Sequence, residues 1–121
     1  MEQQGLHKDE GKLRVDLVPF EAIKGIADVM GYGCQKYAPR NWEKGISYSR
    51  VYASALRHLL SWFFGQNIDT ESGLPHLSHA LCNISFLLYY QENKMTKLDD
   101  RPGVTHGEET PPMLAVPYPY R

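Results

Sequence analysis

Three stretches of the chain repeat apolar residues at helical spacing, and polar or proline-rich segments separate them. In the first, Phe20, Ile23, Ile26, Ala27 and Met30 follow Pro19. A proline fits the first turn of a helix, where its missing N–H costs no bond, so a helix is predicted from Pro19 to about Met30. Whether it runs on to Tyr37 turns on Gly31 and Gly33. In the second stretch Val51, Tyr52, Ala55, Leu56, Leu59, Leu60, Trp62 and Phe63 give a broad apolar face ended by Gly65, with Ser47 or Ser49 available as the N-cap. The third opens at Pro75, carries Leu77, Ala80, Leu81, Ile84, Leu87 and Leu88, and should end near Asn93.

The segments between are as informative. Residues 1–16 read as a polar extended arm, although Lys12, Arg14 and Asp16 alternate with Leu13, Val15 and Leu17 in a way that suits a short edge strand. Residues 37–45 form a loop rich in large polar and aromatic side chains, and Gln66 to Gly73 a polar turn. From Lys94 the periodicity dissolves into charges and prolines, ending in the Pro/Tyr-rich run from Pro111 to Arg121, which cannot form an interior helix or a central strand. The expectation is one compact all-α domain over residues 1–121, with a helical core at about 17–93 and an extended tail at 94–121. Apolar faces this wide in so short a chain imply cover by a second copy, hence a homo-oligomer, a dimer or higher.

Composition narrows the partners. Apolar residues at 42% and charged residues at 22% belong to a globular chain. Thirteen Lys and Arg against fourteen Asp and Glu leave no global basic field for long nucleic acid, so any phosphate recognition must be local. The start, Met1 to Gly5, lacks the charged and apolar regions of a signal peptide, and no stretch approaches the roughly 18 apolar residues that span a bilayer. A cytoplasmic protein with no membrane contact is expected. Cys34 and Cys82 suggest no disulfide framework.

Helical geometry places His76, His79 and Asn83 within about 60° of one another, beside the apolar stripe of the third helix. His58 sits just outside the stripe of the second, so packing of the two helices brings these imidazoles together. Asp69 and Glu71 lie in the turn that joins them. His58, Asp69, His76 and His79 are therefore candidate ligands for a divalent cation, with Asp69, His58 and His79 as catalytic candidates. The plainer alternative is a set of boundary histidines satisfied by the backbone or by each other. A second cluster, Lys36, Tyr37, Arg40, Asn41, Trp42 and Lys44, offers charges for phosphate and flat rings for a base, with Asn83 as a polar contact and Arg57, about 100° round the helix from His58, as a further cation for the same or a neighbouring subunit's pocket. Trp42 fits equally well as a hydrophobic anchor. Walker and dinucleotide loops, HExxH and GxSxG are all missing, which argues against a covalent nucleophile.

Taken in order, Lys12-Leu13-Arg14-Val15-Asp16-Leu17-Val18-Pro19, Gly33-Cys34-Gln35-Lys36-Tyr37, Arg40-Asn41-Trp42, Gly45, Ala55-Leu56-Arg57-His58-Leu59, Asp69-Thr70-Glu71-Ser72-Gly73-Leu74, His76-Leu77-Ser78-His79 and Asn83 resemble the phage-associated dATP/dGTP diphosphohydrolase N-terminal domain family. The resemblance covers about residues 8–92. It implies conversion of a purine deoxynucleoside triphosphate to the monophosphate and pyrophosphate, with Mg²⁺ or Mn²⁺, in the manner of MazG-like all-α enzymes in a bacterial host's cytoplasm. The ExxE and ExxD pairs of those enzymes are not in this sequence: Glu21 and Asp28 are seven apart, and Glu43, Asp69 and Glu71 lie in loops. Two further readings follow: a non-catalytic phage sponge that sequesters a nucleotide, cyclic forms included, and an interaction module that uses the Tyr/Pro tail.

Overall fold

The computed structural model describes residues 4–106. Three helices carry the fold: α1 over Phe20–Lys36, α2 over Tyr48–Phe63 and α3 over His76–Glu92. Short 3₁₀ turns lie at Val15–Leu17, Asn41–Lys44 and Thr96–Leu98, and no strand forms among the described residues. The all-α expectation holds. Pro19 and Pro75 stand at the N-cap positions of α1 and α3. The first helix passes both glycines and stops only at Tyr37, whose N–H bonds to the carbonyl of Gly33.

Helix α3 is the element on which both others pack. Its crossing with α1 is close because Gly25 has no side chain: a Cβ there would meet Ser78 Oγ at 2.8 Å. Against α2 the core gathers Tyr48, Val51 and Tyr90, with Trp42, Phe86 and Leu87 beside them. Tyr90 is fully buried, and its hydroxyl donates to the Trp42 carbonyl at 2.6 Å, so one bond ties α3 to the 37–45 loop.

Three local expectations are corrected. The alternating segment at 12–17 is not a strand: Arg14 and Asp16 pair with each other at 2.8 Å, and Val15–Leu17 close into a 3₁₀ turn with no neighbouring strand to pair. Neither Ser47 nor Ser49 caps α2 with its side chain. The Asp100 carboxylate does so instead, accepting from the Ser49 N–H at 2.8 Å and from the Ser49 hydroxyl. That contact requires residues 94–101 to fold back rather than begin a tail. Met95 and Leu98 pack on the Tyr48–Val51–Tyr90 cluster, and Asp99 is shielded beneath Arg101 and His106. Leu98 lies over Gly45, whose φ of 104° favours glycine and whose missing Cβ would meet both Leu98 methyl carbons at 3.0 Å. The Pro/Tyr-rich run from Pro111 lies outside the described residues.

The apolar faces are only half used within one chain. Val51, Ala55 and Ala80 are buried, while Tyr52, Leu56, Leu60, Trp62 and Phe63 on α2 and Leu77, Ile84 and Leu88 on α3 stay exposed.

Tyr90→Phe should destabilise the fold by about 1–2 kcal/mol, because it strands a carbonyl that now has a buried donor. Urea unfolding checks this. A midpoint equal to the wild type's would show that the bond contributes nothing net.

Candidate functional site

The link between α2 and α3 sets the site. Ile68 and Pro75 form an isolated antiparallel bridge, and the Asp69 N–H and carbonyl bond to Leu74 O at 2.8 Å and Gly73 N at 2.7 Å. Gly73, at φ 75°, permits the reversal. Within this turn Asp69 Oδ2 accepts from the Ser72 N–H at 3.0 Å and the Ser72 hydroxyl at 2.7 Å, an arrangement that Asp and Ser side chains favour in turns. The aspartate is thereby fixed beside the first turn of α3.

That first turn carries His76 and His79, three residues apart, against His58 of α2. His58 and His79 stack with ring centroids 4.5 Å apart and planes 8° apart. His58 Nδ1 lies 2.8 Å from His76 Nδ1, and His76 Nε2 lies 3.1 Å from Gln66 Oε1. His79 Nε2 is 2.7 Å from Ser72 Oγ and 3.5 Å from Asp69 Oδ2. One ligand atom each from His58, Asp69 and His76 falls within 4.8 Å of the other two. Two imidazole nitrogens and a carboxylate oxygen so placed are a chemically sound donor set for a divalent transition-metal ion.

Burial, then the neighbouring His79 and His76, holds the pKa of His58 below the ordinary histidine value; burial does the same to His79 against the opposing pull of Asp69. Burial also works against the Asp69 carboxylate, but the Ser72 hydrogen bonds and the two imidazoles outweigh it and keep its pKa low. An ionised Asp69 thus faces rings that are neutral near pH 7, the form in which imidazole ligates metal or accepts a proton.

A cavity of about 530 Å³ opens from this cluster between α1, α2, α3 and the 37–45 loop, within the range of small-molecule sites. Among its lining residues are Lys36, Tyr37, Arg40, Asn41, Trp42, His58, Asp69 and His79, so both predicted clusters reach one space. Lys36 donates to Glu71 at 2.5 Å, and Tyr32 donates to the same oxygen at 3.2 Å. Glu71, and then Tyr32, push the Lys36 pKa up. Arg40, in the left-handed region at φ 64°, pairs with Glu43 at 2.6 Å. Trp42 stacks on Phe86 at 4.8 Å and meets Tyr89 edge-on, so it anchors the loop while still bordering the cavity.

Four predicted residues, Lys44, Arg57, His76 and Asn83, are not on the cavity lining, although His76 stays within ligand distance of His58 and Asp69. Arg57 is exposed and outside the lining, since it lies a full residue step round α2 from His58. His76 is buried behind His58 rather than facing the cavity. Asn83 donates to Ser54 Oγ at 3.0 Å and acts through that residue. The sequence reading passed over Arg50, Ser54 and Ser72. For Arg50 and Ser54 the signal was their spacing of eight and four residues before His58; for Ser72, the Asp-x-x-Ser turn.

A family model described as dATP/dGTP diphosphohydrolase, N-terminal, matches residues 2–101. A protein of Salmonella phage PMBT28 named dATP/dGTP diphosphohydrolase is 32% identical over 97 residues, which cover 80% of this chain and 33% of that protein. The chain therefore spans about a third of the length of that relative. No solved structure matches.

The lowered histidine pKa values predict acid sensitivity. Between the folded values and the unfolded value of about 6.5 the unfolded chain binds more protons, so stability is fully present above about pH 6.5 and is lost as pH falls through the folded values. Melting temperatures of the metal-free protein from pH 7.5 to 4.5 should fall on the acid side. The double variant His58→Gln/His79→Gln should show a shallower fall, and an equal slope would remove these rings as the cause.

Proposed function

The chain belongs to the dATP/dGTP diphosphohydrolase N-terminal family, and from that premise we propose that it holds the nucleotide of a metal-dependent enzyme that splits a purine deoxynucleoside triphosphate into monophosphate and pyrophosphate. The observation that carries the reading is the opening of the His58–Asp69–His79 cluster into the same cavity as Lys36, Arg40 and Trp42. No helix among the described residues is long and apolar enough to cross a membrane, which suits work in the cytoplasm on a free nucleotide.

His58, Asp69 and His76 would hold the ion, with His79 beside them. Of Mg²⁺ and Mn²⁺, the imidazole-rich donor set fits Mn²⁺ better, because Mg²⁺ is held by oxygen ligands. A bound divalent ion supplies withdrawal of charge from the phosphorus. His79, oriented by Ser72 and next to an ionised Asp69, accepts the proton of the attacking water. Lys36 and Arg40 offset the charge that builds on the phosphoryl oxygens, while Tyr37, Asn41 and the free face of Trp42 border the base. Asn83 steadies Ser54 on the cavity wall.

The exposed Leu56, Leu60 and Phe63 of α2 and Leu77, Ile84 and Leu88 of α3 support a homo-oligomer in which a second copy covers them. Sedimentation should give a dimer or higher. Leu60→Glu should shift it toward the monomer, and a wild-type monomer at high concentration would end that part of the reading.

Asp69→Asn keeps the turn's acceptor but removes the carboxylate charge, so pyrophosphate release from dGTP or dATP with Mn²⁺ should fall at least roughly 100-fold while nucleotide is still retained. Turnover equal to the wild type's would sink the assignment of Asp69. Wild-type protein that retains nucleotide, cyclic forms included, yet releases no pyrophosphate with either metal would instead be a sequestering protein.

A further inference from the structure

Cavity-lining cations differ in what already neutralises them. Lys36 is bonded to Glu71 and Arg40 to Glu43. An incoming phosphate at either must compete with a carboxylate. Arg50, the remaining Lys or Arg on the lining, makes no ion pair or side-chain hydrogen bond with any of the described residues. Its charge is available to a ligand without displacing anything.

Position strengthens the point. Arg50, Ser54 and His58 stand four residues apart on α2, so they share one face at steps of about 6 Å along the axis. All three line the cavity. Ser54 Oγ accepts from Asn83, which leaves its hydroxyl proton to donate outward. A polar row of forked cation, hydroxyl donor and imidazole thus runs along the wall toward the candidate metal ligands. A row of that kind matches a polyphosphate, which presents acceptor oxygens and negative charge along its length.

We propose that Arg50 and Ser54 form a phosphate-binding subsite on α2, in line with His58, that takes the polyphosphate of a nucleoside triphosphate. The proposal rests on the nucleotide reading of the cavity and adds to it a recognition element on a helix rather than on the 37–45 loop. Arg57, the cation of α2 singled out by sequence, lies outside this row.

The test is calorimetric titration of the full chain with dGTP and with deoxyguanosine, with and without Mn²⁺, for the wild type, Arg50→Ala, Arg50→Lys and the charge control Lys97→Ala. Arg50→Ala should weaken dGTP binding about 10- to 100-fold and leave deoxyguanosine binding unchanged. Arg50→Lys should recover part of the loss, since it restores charge without the fork. Lys97→Ala should match the wild type. Melting of Arg50→Ala should not move, because the side chain is exposed and has no partner among the described residues. Equal dGTP affinity in the wild type and Arg50→Ala overturns the subsite alone, as does an equal loss for dGTP and deoxyguanosine. Wild-type protein that binds neither overturns the nucleotide reading and the subsite with it.

Discussion

Placing three imidazoles between two packed helices is possible only if every ring nitrogen taken from water finds a partner. Here His58 and His76 meet each other, and the remaining partners come from one short link. Gln66 at its start meets His76, Ser72 near its end meets His79, and Asp69 between them bonds Ser72 and lies beside His79. Among the described residues no buried side-chain nitrogen or oxygen is left without a partner. Seen this way, the 66–75 link is more than a connector. Its reversal at Gly73 sets where Asp69 lies, and the aspartate and serine set how the rings are held.

The same economy governs charge. A chain with nearly balanced charge gathers Lys36, Arg40 and Arg50 on one cavity, and tempers the first two with carboxylates from the turn and the loop. Exposed pairs of this sort contribute little to stability, so breaking either costs the fold little. Asp69, by contrast, is part-buried and held by neutral donors, and among the described residues it pairs with no lysine or arginine.

Much of this was legible from the chain. The three apolar stripes gave three helices, and the helical angles of His58, His76 and His79 brought the rings together as found. Arg57 is off this chain's cavity because adjacency to His58 in sequence means a 100° turn away from it on a helix, whereas Arg50 is remote in sequence and close in azimuth. The return of residues 94–101 was hidden for a different reason. Met95, Leu98 and Asp100 are too few and too irregular for a periodic signal, and their roles exist only against Tyr48, Gly45 and Ser49, about fifty residues earlier. Ser47 and Ser49 read as caps because local side chains usually serve, and here a distant carboxylate does so instead.

The Asp100 cap also orders events in time. Ser49 and its acceptor are 51 residues apart, so during synthesis α2 emerges from the ribosome long before the group that closes its first turn. A 16-residue helix is marginal alone in water, and α3, the surface on which α2 packs, is also made after it. The wall that carries Arg50, Ser54 and His58 therefore settles only when translation has passed residue 100, and the nascent chain has no finished cavity until then.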